Sequence, residues 1–131
     1  MGAIKKVFYS KKELYAIMRD EYMRGSLVCR IRGDVCKTLD SFFQEVSASL
    51  RFPYYFGWNW NAFDDCMTDL DWMKFSRILI VIDDYRTIFK DESSQVTQIE
   101  LLLKHLCIVN DYWKTHNIDV DVFLNEDDSC R

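Results

Sequence analysis

Three aspartates, Asp64, Asp65 and Asp69, end a short segment that is rich in aromatic side chains. The seven rings that precede them are Phe52, Tyr54, Tyr55, Phe56, Trp58, Trp60 and Phe63. No Lys or Arg occurs between Arg51 and Lys74. Carboxylates form strong charge-assisted hydrogen bonds with Arg, Lys or protonated His. Because the segment supplies no cation of its own, these residues predict a site that binds cationic groups of another molecule.

A helix is needed to hold the three aspartates in a fixed arrangement. Asn59 is a favourable N-cap, and the spacing predicts a helix over residues 60–70. At about 100° per residue, the helix has one apolar arc and one polar arc. The apolar arc comprises Trp60, Ala62, Phe63, Cys66, Met67 and Leu70. The polar arc comprises Asn61, Asp64, Asp65, Thr68 and Asp69.

The simplest interpretation of the polar arc is a solvated helix face. Solvated faces usually mix acids with Lys at spacings that form pairs, whereas this arc uses Asp, which is a poor helix former. Asp65 and Asp69 also fall in the C-terminal half, where the helix dipole disfavours anions. The arc therefore loses local stability that a cationic partner would recover, and Tyr or Trp beside it would add rigid contact area.

An enzyme is a competing hypothesis, with Asp64 or Asp65 paired to His105 or His116 for acid–base chemistry. His105 lies within an apolar helical pattern, which is typical of a structural or surface histidine. His116 lies near the end of that pattern, where a cation is favourable. The sequence has no glycine-rich phosphate loop, nucleophile elbow or metal-ligand motif. We therefore expect no catalytic residue, no cofactor and no metal.

The overall composition agrees with a small globular domain. The chain has 131 residues and a net charge of −4, which argues against nucleic-acid binding. It has no continuous apolar run typical of a membrane span or a signal peptide, so we expect a cytoplasmic protein. The five cysteines, Cys29, Cys36, Cys66, Cys107 and Cys130, are odd in number and dispersed, which favours reduced thiols.

Hydrophobic periodicity predicts an α/β domain with a three-stranded parallel sheet, because helices separate its strands. The predicted elements are a helix over 10–24, strand 26–32, a helix over 39–50, helix 60–70, strand 78–82, a helix over 96–116 and strand 118–124. Ser10 and Thr38 are the expected N-caps of the first two helices, and Gly25 is the expected stop of the first. The strand over 78–82 is apolar throughout, which predicts burial on both faces. Residues 83–94 are mostly polar.

The acidic segment resembles the barstar family of ribonuclease inhibitors. The family pattern runs Leu-Pro-x-Tyr-Tyr-Gly-x-Asn-x-Asp-Ala-Leu-x-Asp-Cys-Leu-Thr. Residues 52–68 match it at Pro53, Tyr55, Gly57, Asn59, Ala62, Asp65, Cys66 and Thr68. Phe52, Phe56, Phe63 and Met67 keep apolar or aromatic character where they differ from the pattern. The resemblance extends over the element order from about residue 26 to 124 and excludes residues 1–25.

The resemblance implies an α/β inhibitor whose second family helix and preceding loop fill a nuclease active site. It places the family's dominant acidic contact at Asp65 and its aromatic loop contact at Tyr55. It also assigns interface positions to Asn59 and Trp60. Two departures stand out, because the first acid of the family helix is Asn61 here and the family's helix tryptophan is Asp64. A further family contact falls loosely at Asp111 or Tyr112.

The sequence thus predicts a barstar-like inhibitor, with a helical extension over 1–25, the inhibitor domain over 26–125 and a frayed tail over 126–131. The predicted partner-binding residues are Tyr55, Asn59, Trp60, Asn61, Asp64, Asp65 and Asp69. The expected partner is a ribonuclease toxin bound 1:1, with the chain acting as an immunity protein. No direct nucleic-acid, membrane or small-molecule partner is expected. The alternative is an acidic adaptor that binds a basic protein other than a nuclease. Trp58 joins Tyr54, Tyr55 and Trp60 as a ring expected to be exposed, while Phe52, Phe56 and Phe63 are expected in the core.

Overall fold

The computed structural model of the chain describes residues 3–52, 56–69 and 74–126. Within them, four strands and four α-helices form one α/β unit. In chain order the elements are β1 (Ile4–Val7), α1 (Lys11–Met23), β2 (Leu27–Arg32), α2 (Leu39–Leu50), α3 (Trp60–Met67), β3 (Arg77–Asp83), α4 (Gln95–Lys114) and β4 (Asp119–Asn125). Short 3₁₀ turns occupy Gly33–Val35 and Tyr85–Thr87. None of the helices in the described part of the chain is both long and apolar enough to span a membrane.

The sheet is parallel throughout, with the strand order β1-β4-β3-β2. The prediction of three strands was therefore wrong by one, because β1 adds a strand next to β4. The sequence of β1 is Ile-Lys-Lys-Val, which lacks the alternation of polar and apolar residues that marks a half-buried strand. Edge strands tolerate such lysines, since one side of the strand faces solvent. The N-terminal extension is thus a strand followed by a helix, rather than a helix alone.

Helices α1 and α2 each begin directly after the residue predicted to be the N-cap. The Ser10 side chain accepts a hydrogen bond from the Glu13 amide at 3.2 Å, and Thr38 accepts one from the Ser41 amide at 3.1 Å. Gly25 follows α1 with a φ of 89°, a left-handed conformation that glycine adopts without steric cost. These local signals made the predictions of both helices accurate.

The two faces of the sheet are covered very differently. Helices α2, α3 and α4 pack on one face and form the larger core with Ile78, Ile80 and Ile82 of β3. Helix α1 packs on the other face, where Leu14, Leu79 and Val81 form a much smaller buried cluster. Strand β3 is therefore buried on both sides after its first residue, as its apolar run predicts.

Polar contacts connect the N-terminal strand and helix to the rest of the sheet. The Asn125 side chain accepts a hydrogen bond from the Tyr9 amide at 2.9 Å and donates one to the Tyr9 carbonyl at 3.2 Å. The Glu126 amide donates to the Val7 carbonyl at 2.9 Å, and the Glu126 carboxylate pairs with Lys6. Glu126 is thus held in place, while the remainder of the tail predicted to fray, residues 127–131, lies outside the described residues.

A fully buried carboxylate lies between α1 and the sheet. Asp83 has no exposed surface, and it accepts hydrogen bonds from Arg30 at 3.1 Å, Asn125 at 3.1 Å and Lys11 at 3.3 Å. Burial by itself would raise the pKa of Asp83, but the hydrogen bonds from Asn125, Arg30 and the Asp84 amide, together with the charge of Lys11, hold the pKa below its ordinary value. This cluster satisfies a charge within the chain and joins α1 to β2, β3 and β4.

The mostly polar segment after β3 contributes more to the core than its composition indicates. Tyr85, Ile88 and Phe89 are all buried. The Phe89 amide donates to the Cys36 carbonyl at 2.8 Å, which fixes the segment against the start of α2. A side-chain Cβ at Gly33 would collide with the carbonyl oxygens of Asp83 and Asp84, so this close approach requires glycine.

Candidate functional site

Helix α3 is positioned by a cap at its N-terminus and by rings beneath it. The Asn59 side chain accepts a hydrogen bond from the Ala62 amide at 2.8 Å and donates one to the Gly57 carbonyl at 3.0 Å. Phe63 is buried, and Trp60 packs edge-to-face on Phe43 with ring centroids 5.2 Å apart. The cap predicted at Asn59 is confirmed, and it fixes both the helix start and the loop that precedes it.

Helix α4 lies alongside α3 and contacts it at three levels. Near the start of α3, the Trp60 indole donates a hydrogen bond to Gln98 at 3.3 Å. One turn later, Asp64 contacts His105 Nδ1 at 2.8 Å. At the end of α3, the Met67 carbonyl accepts a hydrogen bond from the Trp113 indole at 2.7 Å. These contacts define a parallel pair of helices and orient α3 about its own axis.

His105 is the main contact of α4 with the acidic segment. It is buried, and its ring lies parallel to the Trp60 indole at a centroid distance of 5.1 Å and an interplanar angle of 4°. The Asp64 carboxylate is 23% exposed and sits against the edge of the same imidazole. Asp64 and Trp60 are therefore both partly occupied by contacts with α4. The helical wheel placed Asp64 on the exposed arc because a wheel does not show where the neighbouring helix lies.

The outward surface of α3 carries a different set of residues. Asn61 and Asp65 are exposed, and Asp69 is exposed just beyond the helix. Among the described residues, the Asp65 carboxylate forms no hydrogen bond and no ion pair. We call Asn61, Asp65 and Asp69 the acidic stripe. Within this part of the predicted site, the Asp65 carboxylate is accessible to another molecule.

Helix α3 ends three residues before the predicted end, and Asp69 follows it. The Thr68 hydroxyl donates a hydrogen bond to the Asp64 carbonyl at 2.8 Å, and a side-chain contact of this kind slightly destabilises a helix. Clustered carboxylates near the C-terminal end of the helix dipole also disfavour a longer helix. Leu70, the last residue of the predicted helix, lies outside the described residues.

The structure thus separates the predicted site residues into three groups. Asn61, Asp65 and Asp69 form the exposed stripe, while Trp60 and Asp64 lie against α4. Asn59 is exposed, but its side chain caps the helix. Tyr55 and its neighbour Tyr54 lie outside the described residues. The sequence raised a pairing of Asp64 with His105 only as an acid–base hypothesis, and it did not predict the stacking of His105 on Trp60, since 41 residues separate Asp64 from His105.

The electrostatic environment of the stripe is negative. Burial raises the pKa of the nearby Cys66 thiol, and the carboxylates of Asp69 and Asp65 raise it further. No group of three or more His, Cys, Asp or Glu within residues 3–52, 56–69 and 74–126 is arranged to hold a metal ion. Carboxylates and amides on a capped helix can form charge-assisted hydrogen bonds with cationic groups.

A parallel sheet with three helices on one face, one of them carrying exposed acids after an aromatic loop, defines a class of small acidic binding proteins. The family model described as Barstar (barnase inhibitor) matches residues 26–125, and the chain belongs to this family. The match confirms the resemblance found at the acidic segment. It begins at the residue before β2 and ends with β4, so β1 and α1 lie outside the matched region. Comparison with curated proteins gives no match.

Proposed function

We propose that this chain is a stoichiometric inhibitor of a ribonuclease toxin, that is, an immunity protein which binds the toxin 1:1 and occludes its cationic active site. One observation carries the proposal. Asp65 stands on the exposed surface of a capped, well-packed helix, and its carboxylate has no described partner in its own chain. Membership of a family of barnase inhibitors supports the same kind of partner.

The target of such a surface follows from charge complementarity. An enzyme that binds RNA phosphates needs Arg, Lys or His in its active cleft, and carboxylates on a rigid helix present oxygens to the same groups. Charge-assisted contacts of this kind are strong once water is excluded. Complementary charge also accelerates the encounter, and this acceleration weakens as ionic strength rises.

The predicted residues take different roles in the proposed interface. Asp65 is the central acidic contact, flanked by Asn61 and Asp69. Asn59 holds the loop and the start of α3 in position for binding. Trp60 and Asp64 contribute the edge of the interface beside α4, and Tyr55 contributes a ring from the preceding loop.

The remaining predictions are part of the same proposal. The inhibitor domain would span residues 26–125, with 1–25 as an extension that completes the sheet. An immunity protein protects cellular RNA, so we place this chain in the cytoplasm, where that RNA is. Asp111 is exposed on α4, and its participation in the interface is tested with the same assays as the acidic stripe.

The direct test is inhibition of ribonucleases by the purified chain. Barnase and any small basic nuclease domain encoded beside this reading frame are titrated with the chain in a fluorogenic RNA-cleavage assay. We expect activity to fall linearly to an end point at one equivalent, and we expect slower association at higher salt. Co-expression should also rescue cells from the nuclease that is inhibited in vitro.

The same titration separates the inhibitor from the acidic adaptor. An adaptor would bind a basic protein without changing nuclease activity, and its co-expression with the nuclease would not improve survival. Absence of inhibition across the whole set of nucleases would overturn the proposal. Inhibition at a ratio other than one equivalent would contradict the 1:1 complex.

A further inference from the structure

The loop before α3 presents one aromatic side chain in an unusual conformation. Trp58 has a φ of 54°, in the left-handed region that bulky residues rarely adopt. Its neighbours hold it there, because Asn59 donates to the Gly57 carbonyl at 3.0 Å while capping α3. The loop is therefore fixed on both sides of Trp58 by contacts that do not involve the indole.

The Trp58 side chain remains partly in contact with solvent. It is 45% exposed, and among the described residues neither an aromatic ring nor a cationic side chain packs on the indole. By contrast, Trp60 and Trp113 are packed, and the Trp113 indole hydrogen bond is buried. A strained, half-exposed tryptophan is expected where surrounding structure imposes it for binding.

The position of Trp58 relates it directly to the acidic stripe. Trp58 precedes the N-cap Asn59 by one residue. It is three residues before Asn61 and seven before Asp65, and both of these are exposed on α3. The family pattern leaves this position open between its glycine and its asparagine. A residue at an open position inside an otherwise matched segment is suited to distinguish one partner from another.

We propose that Trp58 is a specificity-determining anchor, whose indole packs on the rim of the partner's cationic cleft while Asp65 enters it. This inference rests on the proposed function and adds the residue that selects among ribonucleases. The indole offers a large rigid surface and an aromatic face that attracts Arg or Lys at the rim. Tryptophan is enriched among interface hot spots, provided that the indole becomes desolvated against the partner.

The test compares Trp58 variants in binding and in stability. The variants Trp58→Ala and Trp58→Gly are titrated against barnase and the neighbouring basic nuclease domains, and dissociation is followed by surface plasmon resonance. We expect dissociation to be at least about 30-fold faster for both variants, as for a typical tryptophan hot spot. The Trp58→Phe variant, which keeps an aromatic face, should recover most of the affinity.

Thermal unfolding of the free chain separates an anchor from a structural residue. Glycine adopts positive φ without strain, so Trp58→Gly should unfold at or above the temperature of the unchanged protein. The matched control is Tyr22→Ala, which removes an aromatic ring that is 69% exposed on α1, across the sheet. This control should leave the dissociation rate unchanged.

Three outcomes would overturn the proposal, and they are distinguishable. Inhibition by the unchanged chain together with an unaltered dissociation rate for Trp58→Ala and Trp58→Gly would overturn the anchor alone. A lower unfolding temperature for Trp58→Gly with unaltered binding would assign Trp58 a structural role. Failure of the unchanged chain to inhibit any of these nucleases would overturn the proposed function, and the anchor with it.

Discussion

Two aspartates on opposite sides of the sheet show how differently one side chain is used in this protein. Asp83 is fully buried and is contacted by Lys11, Arg30 and Asn125. Asp65 is exposed on α3, and its carboxylate has no partner among the described residues. The first carboxylate has its cations within its own chain, whereas the second is exposed to solvent and would take cations from the proposed partner.

The difference shows where charge is balanced within the chain and where a charge stays in contact with solvent. On the α1 face, buried charge is balanced internally and connects elements far apart in sequence. On the α3 face, acids occupy a helix end that the dipole disfavours, with no described compensation at Asp65. We therefore expect substitutions of Asp83 and of Asp65 to separate stability from binding.

The largest expected effect is on binding, from Asp65→Ala. Removal of one partner from a desolvated charge pair typically weakens binding by about 2–5 kcal/mol, mainly through faster dissociation. The free energy of unfolding should change by less than about 0.5 kcal/mol, because the side chain is exposed. Isothermal titration calorimetry against the inhibited nuclease and urea unfolding measure the two quantities.

The matched control for this substitution is Asp20→Ala, on α1. Asp20 is exposed and lies on the other side of the sheet from α3. Its carboxylate is 3.5 Å from the Arg19 guanidinium. The substitution should leave affinity within about twofold, since charges far from the interface act only through screened long-range attraction. Equal losses of affinity in the two variants would show that net charge matters more than the position of Asp65.

The second effect concerns stability and comes from Asp83→Asn. Loss of one member of a buried ion pair leaves its partners without compensation, which we expect to cost about 2–4 kcal/mol of unfolding free energy. Lys11 and Arg30 are partly exposed, which keeps the expected cost below that of a fully buried pair. Denaturant unfolding provides the measurement. We expect the folded Asp83→Asn variant to bind the nuclease with unchanged affinity. A loss of affinity in the folded variant would contradict the contrast between Asp83 and Asp65.

The pH dependence of stability should also originate on the Asp83 side. Burial would raise the pKa of Asp83, but the hydrogen bonds and the Lys11 charge around it together bring the pKa below its ordinary value. Hydrogen bonding to Arg32 likewise lowers the pKa of Glu45. A lowered carboxyl pKa contributes stability that is complete above the unfolded value of about 4 and is lost as pH falls through the folded value.

We therefore expect the free energy of unfolding to decrease below about pH 4, where these carboxylates become protonated. The decrease should be smaller for Asp83→Asn than for the unchanged protein, and it should be unaltered in Asp65→Asn. Chemical unfolding between neutral and acidic pH measures it. An equal acid dependence in all three proteins would show that Asp83 is not a major contributor.

The smallest expected effect comes from Asp64→Asn. The exposure of Asp64 lies between that of buried Asp83 and that of exposed Asp65. Asp64 is partly exposed, and its carboxylate lies 2.8 Å from His105 Nδ1. Asparagine keeps the shape of the side chain and removes its charge. We expect losses of about 1 kcal/mol in stability and of similar size in binding. Unfolding and calorimetric titration, compared with Asp65→Asn, measure both. A loss of affinity as large as that of Asp65 would move the centre of the interface to Asp64.

Local sequence signals were sufficient for most of the fold. Side-chain oxygen at Ser10, Thr38 and Asn59 predicted three helix starts, since an N-cap needs only neighbouring backbone amides. The apolar run of β3 predicted a strand buried on both faces. Strand β1, which was not predicted, and the buried rings of Tyr85 and Phe89 had no comparable local pattern, because their positions depend on distant partners.

The candidate site was predictable to the level of its helix, but not to the level of its individual side chains. The polar arc contained Asp64 and Asp65 together, yet only Asp65 faces away from the protein. Periodicity gives the angle of each residue about the helix axis, and it contains no information about the neighbouring helix. His105 supplied that information through its contact with Asp64 and its stacking on Trp60.

The sequence by itself determined the family, the cap of the acidic helix and the absence of Lys and Arg from the segment around it. These features depend on residue type and short spacing. Only the tertiary structure decided that β1 completes the sheet, that α4 contacts Asp64 and that Asp65 remains exposed. Those properties depend on how helices and strands distant in the chain pack together, and packing determines which of several identical charges remains in contact with solvent.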